Sequence, residues 1–168
     1  GFDPADAIIA LRPAAGQAGL QPRDIADCLA EYGDSIALVL LGAVNFRTGA
    51  LLDVATITEL TQRAGAVAGW DLAHAVGNVP LRLHHWNVDF AVWCTYKYLN
   101  AGPGSLGGCF VHQRRSADTS LPRPSGWWGH DSRTRFAMPD AFAAQPGAEG
   151  WQLSNPPILS MASVRGAL

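Results

Sequence analysis

Trp70-Asp71-Leu72-Ala73-His74-Ala75-Val76-Gly77-Asn78, followed by Asp89-Phe90-Ala91-Val92-Trp93-Cys94-Thr95-Tyr96-Lys97-Tyr98-Leu99-Asn100, places an acid and a lysine at the ends of two successive apolar runs. Each run is short and bounded by polar residues or glycine, which suits a buried strand of a parallel sheet better than a helix. In open α/β sheets ligands bind beyond the carboxyl ends of the strands. Asp71 and Lys97 are therefore predicted to emerge at neighbouring strand ends and to face a crevice rather than the core.

Upstream, the pattern predicts one βαβ unit. Ser35 to Leu41 is a continuous aliphatic run that reads as a central strand. Gly42-Ala43-Val44-Asn45-Phe46-Arg47-Thr48-Gly49 leaves its carboxyl end, so these side chains should line the same crevice. Arg47 there suggests a phosphate contact, but a lone loop arginine is more often solvated or salt-bridged. Asp53 caps a crossover helix running through Ile57 and Leu60 to Gly65, and the strand Ala66 to Trp70 follows. Nearer the start, Ala7 to Arg12 reads as a short strand, Gly16 to Pro22 as a loop, and Arg23 to Tyr32 as a helix. Ile25, Cys28, Leu29 and Tyr32 recur there at helical spacing before Gly33.

Downstream, Asn100 to Gly108 is a glycine-rich turn, Cys109 to His112 a strand, and Gln113 to Ser125 a polar surface loop. Gly126-Trp127-Trp128-Gly129-His130 sets two large aromatics between glycines, which suits a ligand-facing loop better than a core strand. From Ile158 an apolar helix begins. Strands alternating with helices imply a mostly parallel α/β sheet with right-handed crossovers.

Composition narrows the function classes. The 168 residues are 48% hydrophobic and 15% charged with a net charge of −2, and Arg114-Arg115 is the one basic pair, which argues against a nucleic-acid footprint. No stretch reads as a membrane span. Cys28, Cys94 and Cys109 are odd in number and lack metal-ligand spacing, so they read as reduced core residues, with the cytoplasm as the default compartment. His84-His85 have no Cys, Asp or Glu at ligand spacing and read as loop packing; no metal site is predicted. One domain is expected, and the abrupt start at Gly1-Phe2-Asp3-Pro4 suggests a fragment.

The chemistry follows from the amine and the acid. A lysine in an apolar pocket can condense with a carbonyl, because desolvation frees an amine lone pair. Pyridoxal phosphate requires such an amine, and a carboxylate beside its ring nitrogen, since a protonated ring is the better electron sink. Lys97 and Asp71 supply the two groups.

Four blocks in order, Asp71-Leu72-Ala73-His74-Ala75-Val76-Gly77-Asn78, Tyr96-Lys97-Tyr98-Leu99-Asn100-Ala101-Gly102, Gly126-Trp127-Trp128-Gly129-His130 and Ser154-Asn155-Pro156-Pro157, closely resemble kynureninase, a fold-type I pyridoxal phosphate enzyme of the class V aminotransferase-like group. The resemblance implies the three-layer αβα large domain of those enzymes, with a mostly parallel sheet. Residues 1–168 would be part of that cofactor-binding domain, incomplete at both ends. It implies Lys97, Tyr96 and Asp71 as catalytic residues, with His74, Trp127 and Asn155 joining them around the cofactor, and Trp127 and Asn155 reaching across a homodimer interface. It implies hydrolysis of L-kynurenine or 3-hydroxykynurenine to anthranilate or 3-hydroxyanthranilate and L-alanine, in tryptophan catabolism and NAD biosynthesis. Kynureninases usually carry Ser at the position of Gly42, so one contact near the cofactor is absent or supplied differently. The phosphate-cradling loop, the aromatic that stacks on the ring and the arginine that grips the substrate carboxylate have no counterpart here, so the isolated chain is expected to turn over slowly or not at all. Rival readings are another fold-type I lyase or a cysteine desulfurase, which commonly place His where Tyr96 stands, and a non-catalytic fragment acting by association.

Overall fold

The computed structural model describes residues 1–118 and 120–168. Four strands, β1 (Leu38–Gly42), β2 (Val67–Asp71), β3 (Phe90–Cys94) and β4 (Gly107–Val111), form one sheet in that spatial order. β1, β2 and β3 run parallel, and β4 returns antiparallel to β3. The sheet is thus mostly parallel, as the alternation predicts.

The β1-to-β2 crossover is the helix α3 (Val54–Arg63), packed beside α2 (Pro22–Tyr32). Asp53 starts α3 by accepting from the Thr56 N–H at 3.1 Å and the Thr56 hydroxyl at 2.7 Å, which satisfies a donor the first helical turn leaves open. Both helices cover one face of the sheet. Trp70 is 1% exposed among Ile25, Leu29, Val54 and Ile57, and its indole N–H donates to Thr58 Oγ1 at 3.0 Å. A buried indole needs such a partner.

The opposite face is open. In-register residues share a side, and Leu38 and Leu40 of β1, Val92 of β3 and Cys109 of β4 are all exposed. Two register pairs shape the sheet further: Gly69 lies under the Phe90 ring and Gly108 under the Trp93 indole, each leaving no room for a Cβ.

Several expectations are corrected, among them a core position for Cys109, which is exposed. Residues 7–12 form no strand: Asp3 and Pro4 start a short helix, α1 (Pro4–Ala7), and Ile8 and Ile9 stay exposed because no strand lies beside them. The Asp-Pro pair is a helix-start signal that outweighs the apolar run. The expected central strand begins three residues late, after a 3-10 turn at Gly33–Ser35, and lies at an edge of the described sheet. The β2-to-β3 connection is built of turns, and the polar loop after β4 opens with a single helical turn, α4 (Gln113–Ser116). The apolar helix α5 (Ile158–Ala167) forms where predicted.

Candidate functional site

The carboxyl ends of the parallel strands open into a cavity of about 790 Å3 whose lining includes Gly42, Phe46, Arg47, Asp71, His74 and Lys97. Asp71 is the last residue of β2. One of its oxygens accepts from the Ala73 N–H at 2.8 Å, which fixes the carboxylate at the strand end and leaves the other oxygen for a ligand. Lys97 follows β3 by three residues and is half-buried. Its Nζ lies 3.2 Å from His74 Nε2. A charged amine donates there, so the imidazole carries its proton on Nδ1 in that state.

His74 is held in turn by the Phe46 ring, stacked at 6.3 Å, and by Tyr98 edge-on at 6.1 Å. The lysine loop is pinned against the turn after β2. Gly77 has φ +79, and a Cβ on it would sit 2.8 Å from the Tyr98 carbonyl oxygen. Thr95 ties the start of the loop to Ser105 at 2.8 Å and to the Leu106 carbonyl at 2.6 Å.

Tyr96, Trp127 and Asn155 are placed elsewhere. The Tyr96 ring is 50% exposed, with Lys97 Nζ 5.5 Å from its centroid, and it does not line the cavity. Trp127 lies on a separate surface and donates its indole N–H to the Arg135 carbonyl at 3.1 Å. Asn155 is exposed, accepting from the Ser154 hydroxyl at 3.3 Å. The structure nevertheless joins the two motifs that carry Trp127 and Asn155. Gly126 and Gly129 pack directly on the backbone of residues 150–153, the lead into Ser154-Asn155, and a Cβ on either would meet backbone at 2.3 and 2.6 Å.

Phe46 and Arg47 line the cavity, as expected for the loop that leaves β1, and Arg47 is exposed there, as a solvated loop arginine would be. Reading the sequence alone missed one residue. Asp89, read only as the start of an apolar run, is 1% exposed and accepts from the Ala68 N–H, Gln62, Arg114 and Arg115 at 2.7–2.9 Å. Burial pushes its carboxyl up, and the donors from Ala68, Gln62, Arg115 and Arg114 together outweigh that and hold it below the usual carboxylate range. The adjacent Arg114-Arg115 pair, opposite a lone acid before a strand, was the available clue.

An acid and an amine thus stand at adjacent strand ends beside one cavity, and the comparisons identify the family of the chain that carries them. The aminotransferase class-V family model matches residues 13–126, and the chain belongs to that family. Pyridoxal phosphate is the family's cofactor. Over the whole chain it is similar to the kynureninases of Koribacter versatilis, at 53% identity, Salinispora tropica, at 55%, and Myxococcus xanthus, at 52%. The chain spans about 40% of the length of these curated relatives. Among solved structures it resembles the cysteine desulfurase CsdA of Escherichia coli, with TM-score 0.65 and 20% identity over 84% of this chain and 34% of that one. The alanine–glyoxylate aminotransferase of Nostoc sp. aligns with TM-score 0.60 and 21% identity over 88% and 37%. At those identities the likeness is one of fold. Among the described residues no helix is long and apolar enough to cross a membrane.

Proposed function

We propose that the protein containing this chain is a kynureninase, cleaving the Cβ–Cγ bond of L-kynurenine or 3-hydroxykynurenine with water to give the corresponding anthranilate and L-alanine. The observation that carries this reading is the match to kynureninases at 51–55% identity across 96–100% of the chain. The desulfurase alternative rests on fold likeness alone.

The donor set in the cavity fits pyridoxal phosphate: an amine, a fixed carboxylate and an aromatic-flanked imidazole line one volume. That cofactor supplies a carbonyl for an amine to attack and a ring that accepts electrons. Lys97 is the amine that would hold it, and its nitrogen is the base that would take the substrate α-proton. His74, 3.2 Å away, keeps the lysine nitrogen in the crevice and accepts a hydrogen bond from it. Asp71, fixed through the Ala73 N–H, would stabilise a positive charge on the cofactor ring from a preorganised position. Tyr96, which adjoins Lys97 outside the cavity lining, takes the role of acid/base and phosphate contact on the family resemblance alone. Trp127 and Asn155 serve the site of a second copy in a homodimer, which accounts for their distance from Lys97 within one chain. The cytoplasm is the proposed compartment.

Borohydride treatment of the full-length protein after incubation with pyridoxal phosphate, followed by peptide mass mapping, tests the site. The expected adduct is on Lys97, and an adduct on another lysine overturns the assignment. Fluorescent anthranilate released from kynurenine tests the reaction, and sulfide from cysteine without anthranilate would assign the desulfurase activity. The isolated 168-residue chain is expected to release little or no anthranilate.

A further inference from the structure

Arg47 stands on the wall of the Lys97 crevice, on a turn whose shape is set by Asn45. The Asn45 side-chain oxygen accepts from the Arg47 N–H at 2.9 Å and from the Thr48 N–H at 3.1 Å. The Asn45 carbonyl accepts from the Gly49 N–H at 2.8 Å, and the Asn45 N–H donates to the Ala50 carbonyl at 2.9 Å. Phe46, one residue before Arg47, stacks on His74, which in turn meets Lys97. The turn is thereby held against the lysine pair, while the Arg47 side chain stays exposed. Among the described residues it forms no ion pair, with Asp71 or any other carboxylate. Asp71 is the one acid on the cavity wall, against Arg47 and the Lys97 ammonium, although the 168 residues together carry a net charge of −2. The crevice is thus a locally positive mouth on a chain of negative net charge. An exposed charge adds little to a bound complex, because water and salt screen it. Its field acts on the approach of a charged ligand, and so on the association rate.

We propose that Arg47 is an entry residue that guides the phosphate-bearing cofactor into the crevice, raising its rate of capture without holding it once bound. A phosphate monoester carries close to two negative charges at neutral pH. An α-amino acid is there a zwitterion with no net charge, so the same field acts strongly on the cofactor and weakly on the substrate. The inference rests on the reading of this crevice as the pyridoxal phosphate site with Lys97 as its amine, and adds to that reading how the site is filled.

The test is stopped-flow absorbance on the full-length, cofactor-free protein mixed with pyridoxal phosphate or with pyridoxal, which lacks the phosphate. Each is run at about 10 mM and about 1 M salt, where charges are felt over about 30 Å and about 3 Å respectively. At low salt the second-order rate constant for pyridoxal phosphate is expected to fall about threefold in Arg47→Gln and about tenfold in Arg47→Glu, the lower end of what charged clefts contribute. Arg47→Lys should stay near wild type, and the dissociation rate should be the same in all. At high salt the four proteins should converge, and pyridoxal should separate them at neither salt. The hydrogen bonds of the turn use only the backbone of Arg47, so each variant should keep its circular dichroism. If none folds, the wild type still decides: capture of pyridoxal phosphate no more salt-sensitive than capture of pyridoxal overturns the proposal. Equal losses with pyridoxal, or losses that survive high salt, overturn it and make Arg47 a structural part of the turn. Faster dissociation with unchanged association also overturns it and assigns Arg47 to the bound phosphate, and unchanged rates in every variant leave Arg47 without a part in capture. Arg47-dependent capture without anthranilate release from kynurenine would reject the kynureninase reading and leave this inference standing; anthranilate release with Arg47-independent capture would do the reverse.

Discussion

At the residue scale the site depends on close approaches that no side chain can enter. Gly77 is the sharpest case, because its positive φ and the Tyr98 carbonyl 2.8 Å from an added Cβ act on the same atom. Left-handed backbone costs a non-glycine residue roughly 1–2 kcal/mol before any clash is counted. Gly77→Ala is therefore expected to lose about 2 kcal/mol or more in urea unfolding, and to slow formation of the Lys97 adduct, since the displaced backbone belongs to the lysine loop. Unchanged stability and adduct formation would show that the loop moves freely of the turn after β2. The sequence shows a glycine at residue 77 within a matched motif, but not what lies against it.

At the element scale, two acids hold segments in place. Asp53→Ala removes both bonds to Thr56 at the start of α3 and is expected to cost about 1 kcal/mol, read as a lower urea midpoint. Asp89 does more, because one carboxylate ties the β2 backbone at Ala68, α3 through Gln62, and α4 through Arg114 and Arg115. Removing one partner of a buried ion pair costs about 3–5 kcal/mol, so Asp89→Asn should fall near the lower figure, as both arginines keep some hydration. The sign of the pH effect follows from the lowered folded value. The stabilisation is fully present above the unfolded carboxylate value of about 4 and is lost as pH falls through the lower folded value. Wild-type stability should therefore decline steeply below about pH 4, and Asp89→Asn should flatten that decline. A parallel acid dependence in the two proteins would remove Asp89 from the account.

At the scale of the whole molecule, the sheet is covered on one face only. Leu38 and Leu40 are 46% and 53% exposed, with Val92 at 44% on the same face two strands away. Contiguous apolar surface of this kind promotes association. The isolated chain is expected to sediment as oligomers, and Leu40→Lys should shift it towards monomer while the far-ultraviolet circular dichroism is retained. In the full-length protein the same substitution should be destabilising by about 2 kcal/mol, since a leucine side chain buried there would be replaced by a charge. Equal behaviour of the two lengths would mean that this face is not covered by other parts of the protein.

The sequence by itself determined the parallel sheet, the α3 crossover and the strand-end positions of Asp71 and Lys97, because these follow from local periodicity, capping and the length of apolar runs. It misplaced residues 7–12 and the central rank of β1, because strand identity depends on a neighbour that the local pattern does not contain. Only the tertiary structure decided that His74 meets Lys97 and that Asp89 is a buried hub. Each of those facts rests on segments distant along the chain being brought within a few ångströms. Charge, burial and hydrogen bonding are properties of such encounters, and a residue's type gives only its capacity for them.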